Sequence, residues 1–167
     1  MQKKVLTEQA LYFGDVSMPK GFEINKELLK SNILESILTN QSLKFSKTWD
    51  MLDTYVKDHI GLKHGIKLIN KESWGNVYEQ KEITPPLSHI NQVNLQNSPD
   101  FILLYGVEVK NCKVVIMYDD NRRKGNTWEI PLKNNHFIMF PSTNLYYIVN
   151  ENTYDFNCIQ TITYEYV

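Results

Sequence analysis

Apolar residues follow two different rhythms in this chain. Between Asn25 and His64 they recur every three or four positions, and after His64 they alternate or run in short blocks. The first rhythm predicts helices and the second predicts strands. ALYFGDVS (10–17) comes first as a short initial strand, ended by Pro19 and Gly21. Asn25 stands where its short side chain can cap a helix over KELLKSNILESILTN. Leu28, Leu29, Ile33, Ile37 and Leu38 share one face of that helix. A second helix is predicted over about 47–62, with Trp49, Leu52, Val56 and Ile60 at helical spacing and Gly61 near its stop.

The rest of the chain is written for sheets. GIKLINKESWGNVYEQ (65–80) alternates well enough for one or two strands, and Pro85-Pro86 marks a turn or a sheet edge. DFILLYGVEV (100–109) and CKVVIMYD (112–119) are the strongest strands. Segments 128–131, 136–140, 146–149 and 158–166 follow, separated by Gly125, Asn134-Asn135, Pro141-Ser142 and Asn150-Glu151-Asn152. Short strands at regular spacing predict a sandwich or barrel, and two helices ahead of them predict a buttress on one face. One domain is expected over 1–167, with the helical buttress at about 20–64 and the β portion at about 65–167.

Composition narrows the function classes. A chain of 167 residues can bury a sizeable core without staples. Lys+Arg 18 against Asp+Glu 19 leaves a net charge of −1, which argues against general nucleic-acid binding. The N-terminus has no signal-like apolar run and no segment reaches membrane-spanning length, so a soluble cytoplasmic protein is expected. Cys112 and Cys158 both lie in strand-like segments. One disulfide is open to them, but two buried thiols is the favoured reading.

In its strand order the chain resembles the iron(II)/2-oxoglutarate-dependent oxygenases, in the compact forms found in bacteria and tailed phages. SWGNVYEQ (73–80) is similar to the family's Trp-x-Asn strand ahead of the metal motif, and ILLYGVEV (102–109) to the strand that follows that motif. YDDNRR (118–123) looks like a hairpin with an Asp-Pro-Arg type of turn. IPLKNNHFIMFPS (130–142) is similar to the family's approach to its Phe-Pro-Ser, and IQTITYEY (159–166) to its closing strand. The resemblance implies a mainly β double-stranded β-helix (jelly roll, cupin-like) with about two N-terminal helices. It also implies Fe(II) and 2-oxoglutarate as cofactors, hydroxylation as chemistry, and the cytoplasm as location (the host's, for a phage gene).

The site residues depart from that pattern. The family's metal site needs His-x-Asp/Glu on one strand and a His on a later one, because two imidazoles and a carboxylate hold Fe(II) on one face. His89-Ile90-Asn91 has the spacing but a neutral amide in place of the carboxylate; a register of Leu87 and His89 does no better. The distal histidine would fall four residues after Ser142, where the chain has Tyr146. The far carboxylate of 2-oxoglutarate would be held by an Arg or Lys on the strand after it. No Lys or Arg follows Lys133, and the region of Asn157 and Cys158 is neutral.

The expected function is therefore an oxygenase-like jelly-roll protein acting as a binding or accessory protein, with no cofactor expected. The alternative is an active Fe(II)/2-oxoglutarate dioxygenase with a site rearranged from His89, Asn91, Tyr146 and Asp119 or Asp120. A ligand pocket is expected to gather His89, Asn91, Tyr146, Tyr105, Trp74 and Asn76, with His89 the candidate metal ligand and a small molecule or peptide as partner. Arg122 and Arg123 are candidate anion-binding groups on a hairpin tip that otherwise reads as solvated local ion pairs. A homodimer is compatible with all of this. His59 and His64, five apart, read as helix-end cations rather than ligands; His136 reads as an exposed turn histidine. The strand aromatics, Tyr78, Tyr105, Tyr118, Trp128, Tyr147, Tyr164 and Tyr166, read mainly as core filling, with Tyr146 the exception.

Overall fold

The structure, a computed structural model, describes residues 3–4, 9–16, 20–21, 25–40, 47–118 and 125–167, without the side chains of 47–49. Its elements are β1 (Tyr12–Asp15), α1 (Lys26–Thr39), α2 (Lys47–His64), β2 (Leu68–Tyr78), a 3-10 turn at Leu95–Asn97, β3 (Phe101–Glu108), β4 (Cys112–Tyr118), β5 (Asn126–Leu132), β6 (His136–Pro141), β7 (Leu145–Asn150) and β8 (Asn157–Tyr166). Asn25 caps α1 as its sequence predicts, its side chain accepting from the Leu28 amide at 3.0 Å. α2 runs past Gly61. It stops where Gly65, at φ 69°, donates its amide to the Gly61 carbonyl, the left-handed ending that glycine favours.

The strands form a five-stranded sheet, β1-β6-β3-β8-β2, and a three-stranded sheet, β5-β4-β7, with every pair antiparallel. Residues 65–80 yield one long strand, β2. The Pro85-Pro86 segment lies along β7 as a broken edge, with bridges Ile83↔Val149 and Leu87↔Tyr146. Prolines cannot donate to a ladder, so a full strand does not form there. Facing each other, the two sheets make a double-stranded β-helix, mainly β, with two helices ahead of it.

β3 and β8 are apolar on both faces because both faces are covered. Ile102, Leu104 and Ile159 point between the sheets, among Tyr78, Ile116, Phe140, Tyr146 and Ile148. Leu103, Tyr105, Val107, Ile162 and Tyr164 point the other way, under Leu29 and Ile33 of α1 and Leu52, Val56 and Ile60 of α2. α1 comes close enough that a Cβ on Gly75 would run into Ile33. Its buried stripe is narrower than the sequence predicts. Leu29 and Ile33 are buried, but Leu28, Ile37 and Leu38 are exposed, since the helix meets the sheet along one line only. Cys112 and Cys158 are free and buried. No helix among the described residues is long and apolar enough to cross a membrane.

Candidate functional site

Three segments meet at one end of the barrel: β2, the broken edge at 83–91, and the start of β7. Alternation along β2 puts Trp74, Asn76 and Tyr78 on its inner face. Gly75, between them, faces α1 instead, and Ser73 bonds across to Gln160. Reciprocal backbone bonds between Leu87 and Tyr146, at 2.7 and 3.3 Å, fix the broken edge against β7. Two residues on from Leu87, the same alternation brings His89 over Tyr146. The His89 Nε2 and the Tyr146 hydroxyl lie 2.8 Å apart. The two rings stack with centroids 5.8 Å apart; Trp74 closes on His89 at 5.2 Å, and Phe140 meets the Tyr146 ring edge-on at 5.1 Å.

Burial sets the charge of this group. Tyr146 is only 1% exposed, and burial pushes its phenol well above the ordinary tyrosine range. Burial also pushes the His89 imidazole below its usual value of 6.5, with Glu72 opposing. At neutral pH the phenol therefore keeps its proton and the imidazole is uncharged. With the ring proton on Nδ1, the Tyr146 hydroxyl donates to Nε2. Asn76 completes the cluster's inner rim by donating from Nδ2 to the Thr161 hydroxyl at 3.0 Å.

Two of the residues predicted for the pocket lie elsewhere. Asn91 is exposed, and its Oδ1 accepts from the Val93 and Asn94 amides, both at 3.0 Å, so the side chain is committed to its own turn. Tyr105 lies on the helix side of β3, where its hydroxyl donates to Asn135 Oδ1 at 2.9 Å. One residue of offset along a strand buried on both faces separates it from the barrel interior. Arg122 and Arg123, with Asp119 and Asp120, lie outside the described residues. His136 opens β6 and is not an exposed turn residue. Its side chain is 15% exposed, burial holds it below the usual histidine range, and Nδ1 has no partner.

Asn157 stands at the start of β8, where a cation would be expected. It is 1% exposed and its amide is fully used. Nδ2 donates to the Lys110 carbonyl and to Asn150 Oδ1, while Oδ1 accepts from the Lys110 amide. Asn150 in turn donates to the Tyr78 and Glu79 carbonyls. This asparagine network stitches β8 to the turns around it and leaves no donor aimed into the barrel.

No family model matches the chain, and no curated protein does. Solved structures do match. The viral collagen prolyl hydroxylase of Paramecium Bursaria Chlorella virus-1, seen as a 2OG complex, aligns with TM-score 0.64 at 10% identity over 94% of this chain and 96% of that one. The Pseudomonas putida prolyl-4-hydroxylase aligns with TM-score 0.56 at 9% identity, over 94% and 85%. The epimerase SnoN, in complex with Fe3+, alpha ketoglutarate and nogalamycin RO, gives 0.64 at 10%, over 94% and 79%. This chain has the 2OG-Fe(II) oxygenase fold.

Within that oxygenase fold the described residues at this position do not fit an iron centre. The register that faces Tyr146 is Leu87 and His89, so the three inward positions offer an alkyl group, one imidazole and one phenol. Fe(II) sites of this kind are built on two imidazoles and a carboxylate. The one imidazole nitrogen in place is already bonded to a phenol that burial keeps protonated. Among the described residues no three His, Cys, Asp or Glu side chains converge to hold a metal. Tyr146 and Tyr78 fill the barrel interior beside them.

Two buried polar residues of the Pro-Ser-Thr-Asn turn were not singled out in the sequence as site residues. Ser142 is 4% exposed and donates its hydroxyl to the Pro99 carbonyl; Asn144 is 6% exposed and hangs over a cavity between the sheets. Their only sequence signal is a run of small polar residues between two strands, which any turn would show.

Proposed function

We propose that this oxygenase-fold chain works by binding, without Fe(II)/2-oxoglutarate catalysis and without a cofactor of its own. The observation that carries the reading is the contact between His89 Nε2 and the buried Tyr146 hydroxyl, which uses the one imidazole available to a metal. The self-satisfied Asn157, in place of a cation, supports it from the co-substrate's side. A small molecule or peptide at the barrel mouth is the partner, and the setting is the cytoplasm. The kind of enzyme the fold would otherwise suggest is a 2-oxoglutarate-dependent dioxygenase, and it gives the test its opposite outcome. Protein purified without chelator is analysed for bound iron and assayed for release of succinate from 2-oxoglutarate with added Fe(II). Iron far below one per chain, and no succinate, is expected. One iron per chain that disappears in His89→Ala would overturn the reading.

A further inference from the structure

β1 is an edge strand, with β6 on one side and no strand on the other among the described residues. Register shows which of its backbone groups are free. Val16 donates its amide to the Asn135 carbonyl at 2.9 Å, and Ser142 donates to the Asp100 carbonyl at 2.9 Å. In an antiparallel ladder, residues two apart bond to the same side. Counting back from Val16, Gly14 and Tyr12 bond toward β6. Counting back from Ser142, Phe140 and Ile138 bond toward β3, which leaves Met139 and Phe137, the partners of Tyr12 and Gly14, facing β1. Both counts turn the N–H and C=O of Phe13 and Asp15 to the open edge. Neither residue has another backbone partner there among the described residues.

A groove of about 480 Å³ runs beside that edge, between residues 11–15 and one line of α2, Tyr55, His59 and Lys63. Tyr55 stacks on His59 at 5.3 Å and Tyr12 meets His64 edge-on at 4.8 Å, so its aromatic walls are held. Gly14 faces this groove and brings no side chain to it. Its φ is not positive, and a Cβ there would make only ordinary contact with Phe137, at 3.8 Å. Backbone geometry does not demand a glycine here; the glycine leaves room opposite itself. Lys63 is exposed and has no ion-pair partner among the described residues. Asp15 does not offset it, because alternation sends that carboxylate to the other face of the sheet, 4.0 Å from His136.

We propose that the open edge of β1 takes an extended acidic peptide segment of a partner protein as a further antiparallel strand. Phe13 and Asp15 supply the backbone bonds, and the residue opposite Gly14 is a Glu or Asp whose carboxylate reaches Lys63. Adding a strand to a free edge gives affinity through the backbone, and the pocket for alternate side chains gives selectivity. A second copy of this chain suits the groove less well, since edge-to-edge pairing would lay its own α2, with Lys63 and two histidines, beside this one. The site is separate from the barrel mouth. Iron at His89 would overturn the binding-only reading above and leave this one standing.

The probe is the capped peptide Ac-Val-Glu-Val-Glu-Val-Glu-NH2, titrated against the full chain by calorimetry. Saturable binding is expected, with the Val-Lys counterpart weaker by at least about tenfold. In the bound register the valine N–H groups point to β1 and the glutamate N–H groups point away. N-methylation at the valines should therefore abolish binding, and N-methylation at the glutamates should leave it. Phe13→Pro removes the outward N–H and spares the bonds to β6, as edge strands allow. It should weaken the peptide by at least about fivefold beyond Phe13→Ala, the size of one lost hydrogen bond, with a cooperative thermal melt showing that the fold is kept. Lys63→Ala, at an exposed position, should weaken it by about three- to fivefold, and Lys63→Glu should reverse the preference between the two peptides. No saturable binding, equal affinity for the acidic and basic peptides, or equal effects of the two N-methylations would each overturn the proposal. So would a dimer in sedimentation that Phe13→Pro dissociates, since a second copy would then hold the edge.

Discussion

Tyr146→Phe removes a single oxygen and isolates the contact on which the candidate site turns. The edge-on packing against Phe140 and the backbone bonds to Leu87 do not involve that oxygen and are kept. What is lost is one hydrogen bond at 2.8 Å to His89 Nε2. Such a bond contributes about 1 kcal/mol net. His89 is only half-buried, so water can replace the lost partner and the cost stays near that figure. It stays well short of the roughly 3–5 kcal/mol of emptying an aromatic site. For a chain of this size the change lowers Tm by about 2–4 °C. The pH dependence follows from the direction of the shift. Burial holds His89 below 6.5 in the folded state, so its contribution is present above about 6.5 and is lost as pH falls through the folded value. A hydroxyl donating to Nε2 also favours the neutral ring, so Tyr146→Phe should raise the His89 pKa toward 6.5. The stability gap between the two proteins should then be largest near pH 8 and shrink toward pH 5, where a protonated ring has no lone pair to accept. Thermal melts at both pH values and an NMR titration of the His89 ring measure this. A Tm unchanged at pH 8, or a His89 pKa that falls in the variant, would refute the bond as described.

Further outcomes follow from the packing and the thiols. Gly75→Ala should destabilise by about 1–3 kcal/mol, because the new methyl meets Ile33 of α1, and combined with Ile33→Ala the two losses should be less than additive in denaturant melts. Asn157→Leu should cost about 1–3 kcal/mol, since it strands the Lys110 amide and carbonyl and leaves Asn150 Oδ1 with the Asn152 amide alone; a loss under about 0.5 kcal/mol would mean the network is not a structural tie. Burial raises the Cys112 thiol to about 12 and the Cys158 thiol to about 11, so neither should react with a disulfide reagent at pH 8 until denaturant is added. Labelling of either in the native protein within seconds would contradict their placement.

The sequence by itself determined the element types and much of their placement. Helical spacing at Leu52, Val56 and Ile60, and apolar runs at 100–109 and 112–119, are local signals that tertiary packing had no reason to override. The missing carboxylate and the missing cation after Lys133 are equally plain in the letters, because a charge is either there or not. Only the tertiary structure decided which face of each strand looks inward. β3 is apolar on both sides, so alternation could not say whether Tyr105 or Leu104 enters the barrel; the helices on one sheet face settled it. The register between 87–89 and Tyr146 joins segments nearly sixty residues apart, and backbone pairing across a proline-broken edge chose it. Asn144 shows the same limit, since a turn asparagine becomes a buried amide with an unpartnered oxygen only when two sheets and the segment at 9–11 close around it.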